Sequence, residues 1–416
     1  MRSADTLWVL LGAALVLFMT PGLALFYGGM VRSKNVLSVM MNSFIAIGII
    51  TVVFVTFGGS LIFSNDLGAG LLGNLHLAGF ANLNHALPGL GGVHADPMAI
   101  MVFQLMFAII TAALLSGGTV DRIKFTSFLV LIVAWFLFVY VPIAHWVFSP
   151  TGWLAHLGVL DFAGGTVVEI NSGFSTLAIV LVLGRRRGWP GEAMAPHSVP
   201  LTLLGAGILW FGWFGFNAGS SLGVNHVAVI AFVTTQIAAA TGMLGWVLFE
   251  RAREHYPTTL GAASGAVAGM VAITPCAGFV SPMAAVVIGL VAGVICAMAV
   301  RLKFKWHYDD SLDVLGVHGV GGLCGMVLLG CFATKSVNAA GANGLFTGGG
   351  FHLLSREALA AAVTAAFAFF VTSIIAKVVD LTMGLRVSQE DEFVGLDLSQ
   401  HAESAYSLGG GGRLGQ

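Results

Sequence analysis

Eleven apolar runs govern what this chain can fold into. They lie at about 7–31, 39–64, 97–117, 125–149, 163–184, 199–219, 226–250, 258–279, 282–302, 314–335 and 357–386. Each is close to or above the roughly 20 residues that a helix needs to cross the hydrocarbon core of a bilayer. In lipid every backbone N–H and C=O must be satisfied within the protein, and runs of this length satisfy them as helices. The predicted fold class is an all-α polytopic membrane protein with eleven transmembrane helices. Composition enters as a check. Charged residues make up 9% of the chain, against about a quarter in soluble proteins, which excludes a water-soluble enzyme. The net charge of −1 leaves no basic excess for nucleic acid. The 56 glycines suit helices packed backbone to backbone. The first run continues to Val31, past signal-peptide length, and is read as a span.

Basic residues set the orientation. Of the 18 Lys and Arg, only Arg2, Lys335 and Arg356 fall on one side of an alternating eleven-span chain. The other 15, from Arg32 and Lys34 to Arg386 and Arg413, mark the cytoplasmic side. The N-terminus is therefore predicted outside and the C-terminus inside. Spans one to five then start outside and spans six to ten inside, giving two inverted five-helix repeats plus a last helix. One pair of segments carries the repeat directly. Asp161 to Glu169 opens the fifth span and Asp310 to His318 opens the tenth, each with an acid followed eight positions later by a second ionisable residue. Inverted repeats often hold their substrate site at the midplane between the halves. Eight residues at a 1.5 Å rise place Glu169 about 12 Å below a helix opening at Asp161, near the bilayer centre. His318 rises to meet it from the other side.

An ionisable residue inside a span is a functional candidate by default. Glu169 and His318 are the strongest; the structural alternative is a hydrogen bond that only packs the bundle. Asp161 reads as a helix cap or a distant electrostatic aid. Asp310 and Asp313 share that ambiguity and are placed near the cytoplasmic surface. His145 reads as a satisfied polar residue, and Lys377 and Asp380 as packing or snorkelling groups. His76, His85, His94 and Asp96 share one outer loop, but their spacing fits no zinc pattern, so no metal is expected. Cys276, Cys296, Cys324 and Cys331 lack CxxC spacing and read as small apolar residues. No GxSxG, HExxH or Walker A pattern stands in a catalytic context, so no enzyme and no cofactor are expected. Phe107, Trp213 and Phe216 fall in the outer half, with the Ser220 hydroxyl beside them. Membrane packing is the usual role of any one Phe, yet aromatic faces also hold cations. An aromatic and hydroxyl mouth leading to a Glu–His pair suits a small, hydrogen-bonding cation.

At these residues the chain resembles the Amt/Mep/Rh ammonium transporter family, most nearly its bacterial Amt type, over nearly its whole length. The marks are FYGGMVRSKN (26–35), FQLMFAIITAAL (103–114), DFAGGTVVEINSG (161–173), WFGFNAGS (213–220), DVLGVHGVGG (313–322), DLTMGLRV (380–387) and GLDLSQHAESAY (395–406). The resemblance implies a multi-pass protein of the cytoplasmic (inner) membrane, eleven helices per subunit, a homotrimer and one narrow pore per subunit. It implies cation recruitment at Phe107, Phe148 and Ser220, supported by Asp161 without direct contact. It implies a gate of Phe107 and Phe216, with Trp213 on the pore wall. A PII-type signal protein would bind at the cytoplasmic face. Two positions depart from the bacterial pattern. Glu169 stands where most members have the first of two pore histidines, a replacement known in a fungal branch, and His318 matches the second. Phe148 stands where Trp is common, and its cation-binding face is weaker.

These residues predict a transporter that recruits ammonium, takes its proton near Glu169, and conducts ammonia past the Phe gate. Glu169 and His318 would relay the proton inward, making transport electrogenic. A competing version lets a Glu169 carboxylate stabilise intact ammonium and weakens discrimination against potassium. The alternative of another class is an ammonium sensor that transports little and signals through a partner, since the 29 residues after 387 are too few for an output domain. Residues 1–387 form the transmembrane domain and 388–416 a cytoplasmic tail. The tail is expected to pack on the inner face as far as its Gly-rich end, which is expected to be flexible.

Overall fold

The computed structural model describes residues 3–406. It is an all-helical polytopic bundle. Ten helices are long and apolar enough to cross a membrane: α1 (Ser3–Met30), α2 (Ser33–Phe63), α3 (Pro97–Thr119), α4 (Phe125–Leu157, interrupted at 149–152), α5 (Gly165–Leu183), α6 (Val199–Gly219), α7 (His226–Glu254), α9 (Pro282–Trp306), α10 (Leu315–Phe332) and α11 (Phe351–Met383). The eleventh, α8 (Thr259–Ile273), has 15 residues. At 1.5 Å per residue it spans about 22 Å, short of the bilayer core. The run expected to continue to 279 instead leaves the helix after Ile273 as a series of turns through Pro275. Irregular backbone at this depth is tolerated where protein buries it, and residues 274–278 are buried. The division between the eighth and ninth runs therefore stands. The Gly-rich end of the tail, from Ser407, lies outside the described residues.

Helix starts follow ordinary chemistry. Asp96, Ser198, Asn225, Thr258 and Ser281 each accept a backbone N–H in the first turn of α3, α6, α7, α8 and α9. Proline stands in the first turn of α3, α6 and α9, where its missing N–H costs nothing. Among the described residues, four stretches are wound as π-helix: Phe54–Gly58, Phe136–Tyr140, Gly165–Ile170 and Leu315–Gly319. The last two are the first turns of α5 and α10. The pair α5 and α10 meets backbone to backbone. A Cβ placed on Gly173 would lie 2.3 Å from the Gly319 Cα.

One end of the bundle is rich in Arg and Lys, and a buried ion-pair cluster ties its connections together. Asp121 binds Arg32 at 2.9 Å and Arg186 at 3.5 Å. Asp309 binds Arg186 at 2.8 Å and lies 3.8 Å from Arg122, whose side chain is fully buried. Burial pushes the Asp309 carboxyl up, but the Arg186 and Arg122 guanidiniums outweigh it and hold the group below the usual range. Two short helices of the tail, α12 (Gln389–Val394) and α13 (Leu396–His401), cover this basic end.

Candidate functional site

The site lies where α5 and α10 begin. Asp161 precedes α5, and its Oδ1 accepts the N–H groups of Gly164 and Gly165 at 2.8 and 2.7 Å. Its Oδ2 accepts the Thr166 N–H at 2.8 Å and the Thr166 hydroxyl at 2.5 Å. Gly164, at φ +114, turns the chain into the helix, a conformation that a side chain would strain. Asp310 precedes α10 in the same way: its Oδ2 accepts the Leu315 N–H, five residues on, at 2.7 Å. Each acid thus caps a helix whose first turn is π-wound, and each of those turns carries the ionisable residue.

This changes one expectation. Winding starts at Gly165 rather than Asp161, because the Asp161 carboxylate holds residues 161–164 as a capping loop. Glu169 is therefore four residues into its helix, about 6 Å from the start rather than 12 Å. His318 is three residues into α10. Both side chains stand near helix N-termini, whose partial positive charge favours a carboxylate.

Glu169 Oε2 and His318 Nδ1 are 2.6 Å apart. Both residues are buried, and the contact is shorter than an ordinary neutral N–H···O bond of about 2.9 Å. His318 is reached from two cavities. The first is narrow, about 10 Å³ or room for about one water, and is walled by Phe26, Ile110, Val168, Trp213, Phe216 and Val267, with Glu169 and His318 as its polar groups. The second, of about 200 Å³, opens toward the basic end and holds Glu250, Thr258, Ser264 and Asp313 as well as His318. Phe26, Val267 and His318 line both. An apolar chamber and a polar vestibule therefore meet at the imidazole.

On the side away from the basic end, the aromatics close the chamber. Phe107 and Phe216 stack with ring centroids 4.2 Å apart and planes at 28°. Phe148 stands edge-on to Phe107 at 6.2 Å. Trp213 is 5.5 Å from Phe216, its indole N–H donating to the Thr274 hydroxyl at 2.9 Å. The turns that shorten α8 thus fix a wall of the chamber. Ser220 donates its hydroxyl to the Phe216 carbonyl at 2.9 Å, which leaves the oxygen lone pairs as acceptors. Of the eight residues singled out in the sequence, Trp213, Phe216, Glu169 and His318 line the chamber, Phe107 and Ser220 contact Phe216, Phe148 packs on Phe107, and Asp161 is a helix cap.

Other positions resolve to structural contacts. His145 is buried, with Nδ1 2.6 Å from the Ile62 carbonyl and Nε2 3.3 Å from Asp66. Lys377 lies 3.4 Å from Asp380 on an exposed face. Asp310 departs from the expected surface position: it is 1% exposed, packed beneath the Lys303–Asp313 ion pair. Glu250 was missed. Its carboxylate accepts the Trp246 indole N–H at 3.1 Å and the Thr258 N–H at 2.7 Å, at the vestibule wall. In the sequence it is the last residue of the seventh run, next to Arg251, and reads as the charged end of a span.

Residues 7–406 match the family model described as Ammonium Transporter Family. The ammonium transporter of Bacillus subtilis is 48% identical over 413 residues, covering 98% of this chain and 99% of its own length. Among solved structures, Candida albicans Mep2 superposes with a TM-score of 0.87 at 34% identity, over 94% of this chain and 88% of that one. A protein described as a sensor Amt protein superposes with a TM-score of 0.86 at 30% identity, over 96% of this chain and 98% of that one. With a family model matching almost end to end and a relative of equal length nearly half identical, this chain belongs to the ammonium transporter family.

Proposed function

We propose that the protein carries ammonium across the cytoplasmic membrane, with its basic end and tail inside and its two five-helix halves inverted. Ammonium is recruited at the mouth by the faces of Phe107 and Phe148 and the acceptor oxygen of Ser220. Asp161 favours the cation electrostatically while its own oxygens hold the loop. Past the mouth the stacked Phe107 and Phe216 leave no polar partner. Moving a bare ion into such walls is costly, whereas neutral ammonia crosses at far lower cost. The proton is given up at or near Glu169 and passes through His318 to the vestibule, so the net process moves charge.

The observation that carries this reading is the 2.6 Å Glu169–His318 contact between a chamber with few polar groups and a polar vestibule. Carboxyl and imidazole in contact exchange a proton as one coupled unit. The assembly that goes with this reading is a homotrimer in lipid, with the inner loops and tail offered to a PII-type protein.

The test is current from proteoliposomes on a solid-supported membrane after an ammonium pulse, with potassium as control. Wild type should give a sustained, ammonium-specific current. Glu169→Gln should remove the titrating carboxyl and abolish or flatten the pH dependence, and Glu169→His should restore a two-imidazole relay. An unchanged current and pH profile in Glu169→Gln would overturn the relay. The sensor Amt likeness favours one other reading, ammonium binding with little transport. Ammonium-dependent thermal stabilisation without current or internal alkalinisation would select it.

A further inference from the structure

One buried acid has no part in this route. Glu357, on the first turns of α11, is fully buried. Its Oε1 accepts the Leu160 N–H at 2.8 Å, and its Oε2 has no partner among the described residues. A buried carboxyl with one oxygen unpaired costs stability, and an apolar residue of the same volume would fill the space without that cost. Packing alone does not account for it. The one bond it makes falls on the residue before Asp161. Two residues further on, the Phe162 N–H donates to the Pro275 carbonyl at 3.1 Å. The chain carrying Asp161 is thus pinned on both sides, by α11 through Glu357 and by the turns after α8 through Pro275.

We infer that Glu357 is a positioning residue for the recruitment mouth, holding the Asp161 loop in register with α5 through the Leu160 N–H. The inference rests on the mouth proposed above. Asp161 caps α5 with four hydrogen bonds, which require its carboxylate over Gly164, Gly165 and Thr166 at once. Without the Leu160 anchor the loop is free to pivot about Phe162. Asp161 then moves, and with it the field it sets at the mouth beside Phe148, whose ring lies against Gly164.

Two conservative variants separate reach from acidity. E357Q keeps an oxygen at the same reach and loses the ionisable group. E357D keeps the acid but withdraws it by one carbon–carbon bond, about 1.5 Å, beyond hydrogen-bond distance of Leu160. Half-saturating ammonium is read twice, from the transport current and from thermal stabilisation in detergent, so affinity is measured whether or not the protein transports. E357D should raise half-saturation by about two- to tenfold, the worth of one hydrogen bond, with maximal current within about twofold of wild type. E357Q should match wild type in both. E357M, which fills the volume without an acceptor, carries the E357D expectation if that variant does not reach the membrane. Unmoved half-saturation in E357D and E357M, or an equal rise in E357Q, overturns the inference. A wild type without current, but with the E357D shift in ammonium stabilisation, would overturn the transport reading and leave this one standing.

Discussion

At the residue scale, three acids show how one side-chain type is used for different ends. Asp161 spends both oxygens on a helix cap, Glu169 meets an imidazole at 2.6 Å, and Asp310 caps α10 with one oxygen while its Oδ1 has no partner among the described residues. Burial, and then the Asp313 carboxylate, push the Asp310 carboxyl up to about 6, against the pull of Lys303 and the Leu315 N–H. A folded value above the unfolded one means that the native state keeps its proton longer as pH rises. Its contribution is therefore most favourable below about pH 4, declines to about pH 6, and stays as a cost of about 3 kcal/mol above that. Asp310→Asn keeps an oxygen for the Leu315 N–H and has nothing to ionise. Thermal unfolding in detergent should show the variant more stable than wild type at about pH 7.5, with the gap closing near about pH 4.5. A gap of equal size at both pH values would mean that Asp310 does not titrate in this window. The acid-to-ionisable spacing of eight was readable in the sequence, because composition leaves so few charges inside spans. Which oxygen goes unpaired was not, since that depends on side chains brought in from distant helices.

Elements carry the site through one close crossing. The Glu169–His318 contact needs α5 and α10 nearer than side chains normally allow, and Gly173 against Gly319 supplies that approach. A methyl at Gly173 would meet Gly319 N and Cα at 2.4 and 2.3 Å, backbone atoms that cannot rotate away. Gly173→Ala should therefore push the helices apart, at a cost of about 1–3 kcal/mol, and stretch the buried pair. Gly48→Ala is the control, because nothing lies within 4 Å of its Cβ position. Ammonium-evoked current should fall several-fold in Gly173→Ala and hold in Gly48→Ala, with melting temperature falling only in the first. Equal current in the two variants would show that the crossing does not set the pore. Ten of the eleven helices could be read from apolar run length, since the bilayer fixes how long a lipid-facing helix must be. The early end of α8 was legible only in part: Pro275 marks a turn, but that the chain stays non-helical and buried over 274–278 depends on the helices packed around it. The π-wound first turns left no sequence signal either.

At the scale of the whole molecule, the tail closes on the bundle by contacts that span almost the full chain. Asp397 accepts the N–H groups of Leu37 and Ser38 at 3.0 and 2.8 Å, capping the first turns of α2 from about 360 residues away. Leu396 donates to Asn35 at 2.8 Å, and Lys34 donates to the Glu392 carbonyl at 3.0 Å at the end of α12. Glu392 accepts from the Arg187 backbone and the Arg386 guanidinium, each at 2.6 Å. His197 meets Tyr406 at 2.8 Å. The start of α2, the loop after α5 and the end of α11 are thus tied by one short segment at the basic end of the bundle. Asp397 is its central tie, because a carboxylate on a helix N-terminus meets both the free N–H groups and the positive end of the dipole. Asp397→Ala leaves those donors without a partner and should cost about 1–2 kcal/mol of tail docking, with little effect on the melting of the apolar bundle. Limited proteolysis in detergent should then cut within 388–401 faster than in wild type. The ammonium current should change in its maximum while half-saturation stays fixed, because the proposed recruitment mouth lies away from the basic end. Cleavage at the wild-type rate would show that α12 and α13 dock without Asp397. Faster cleavage with an unaltered current would show that the tail docks at the basic end without governing transport.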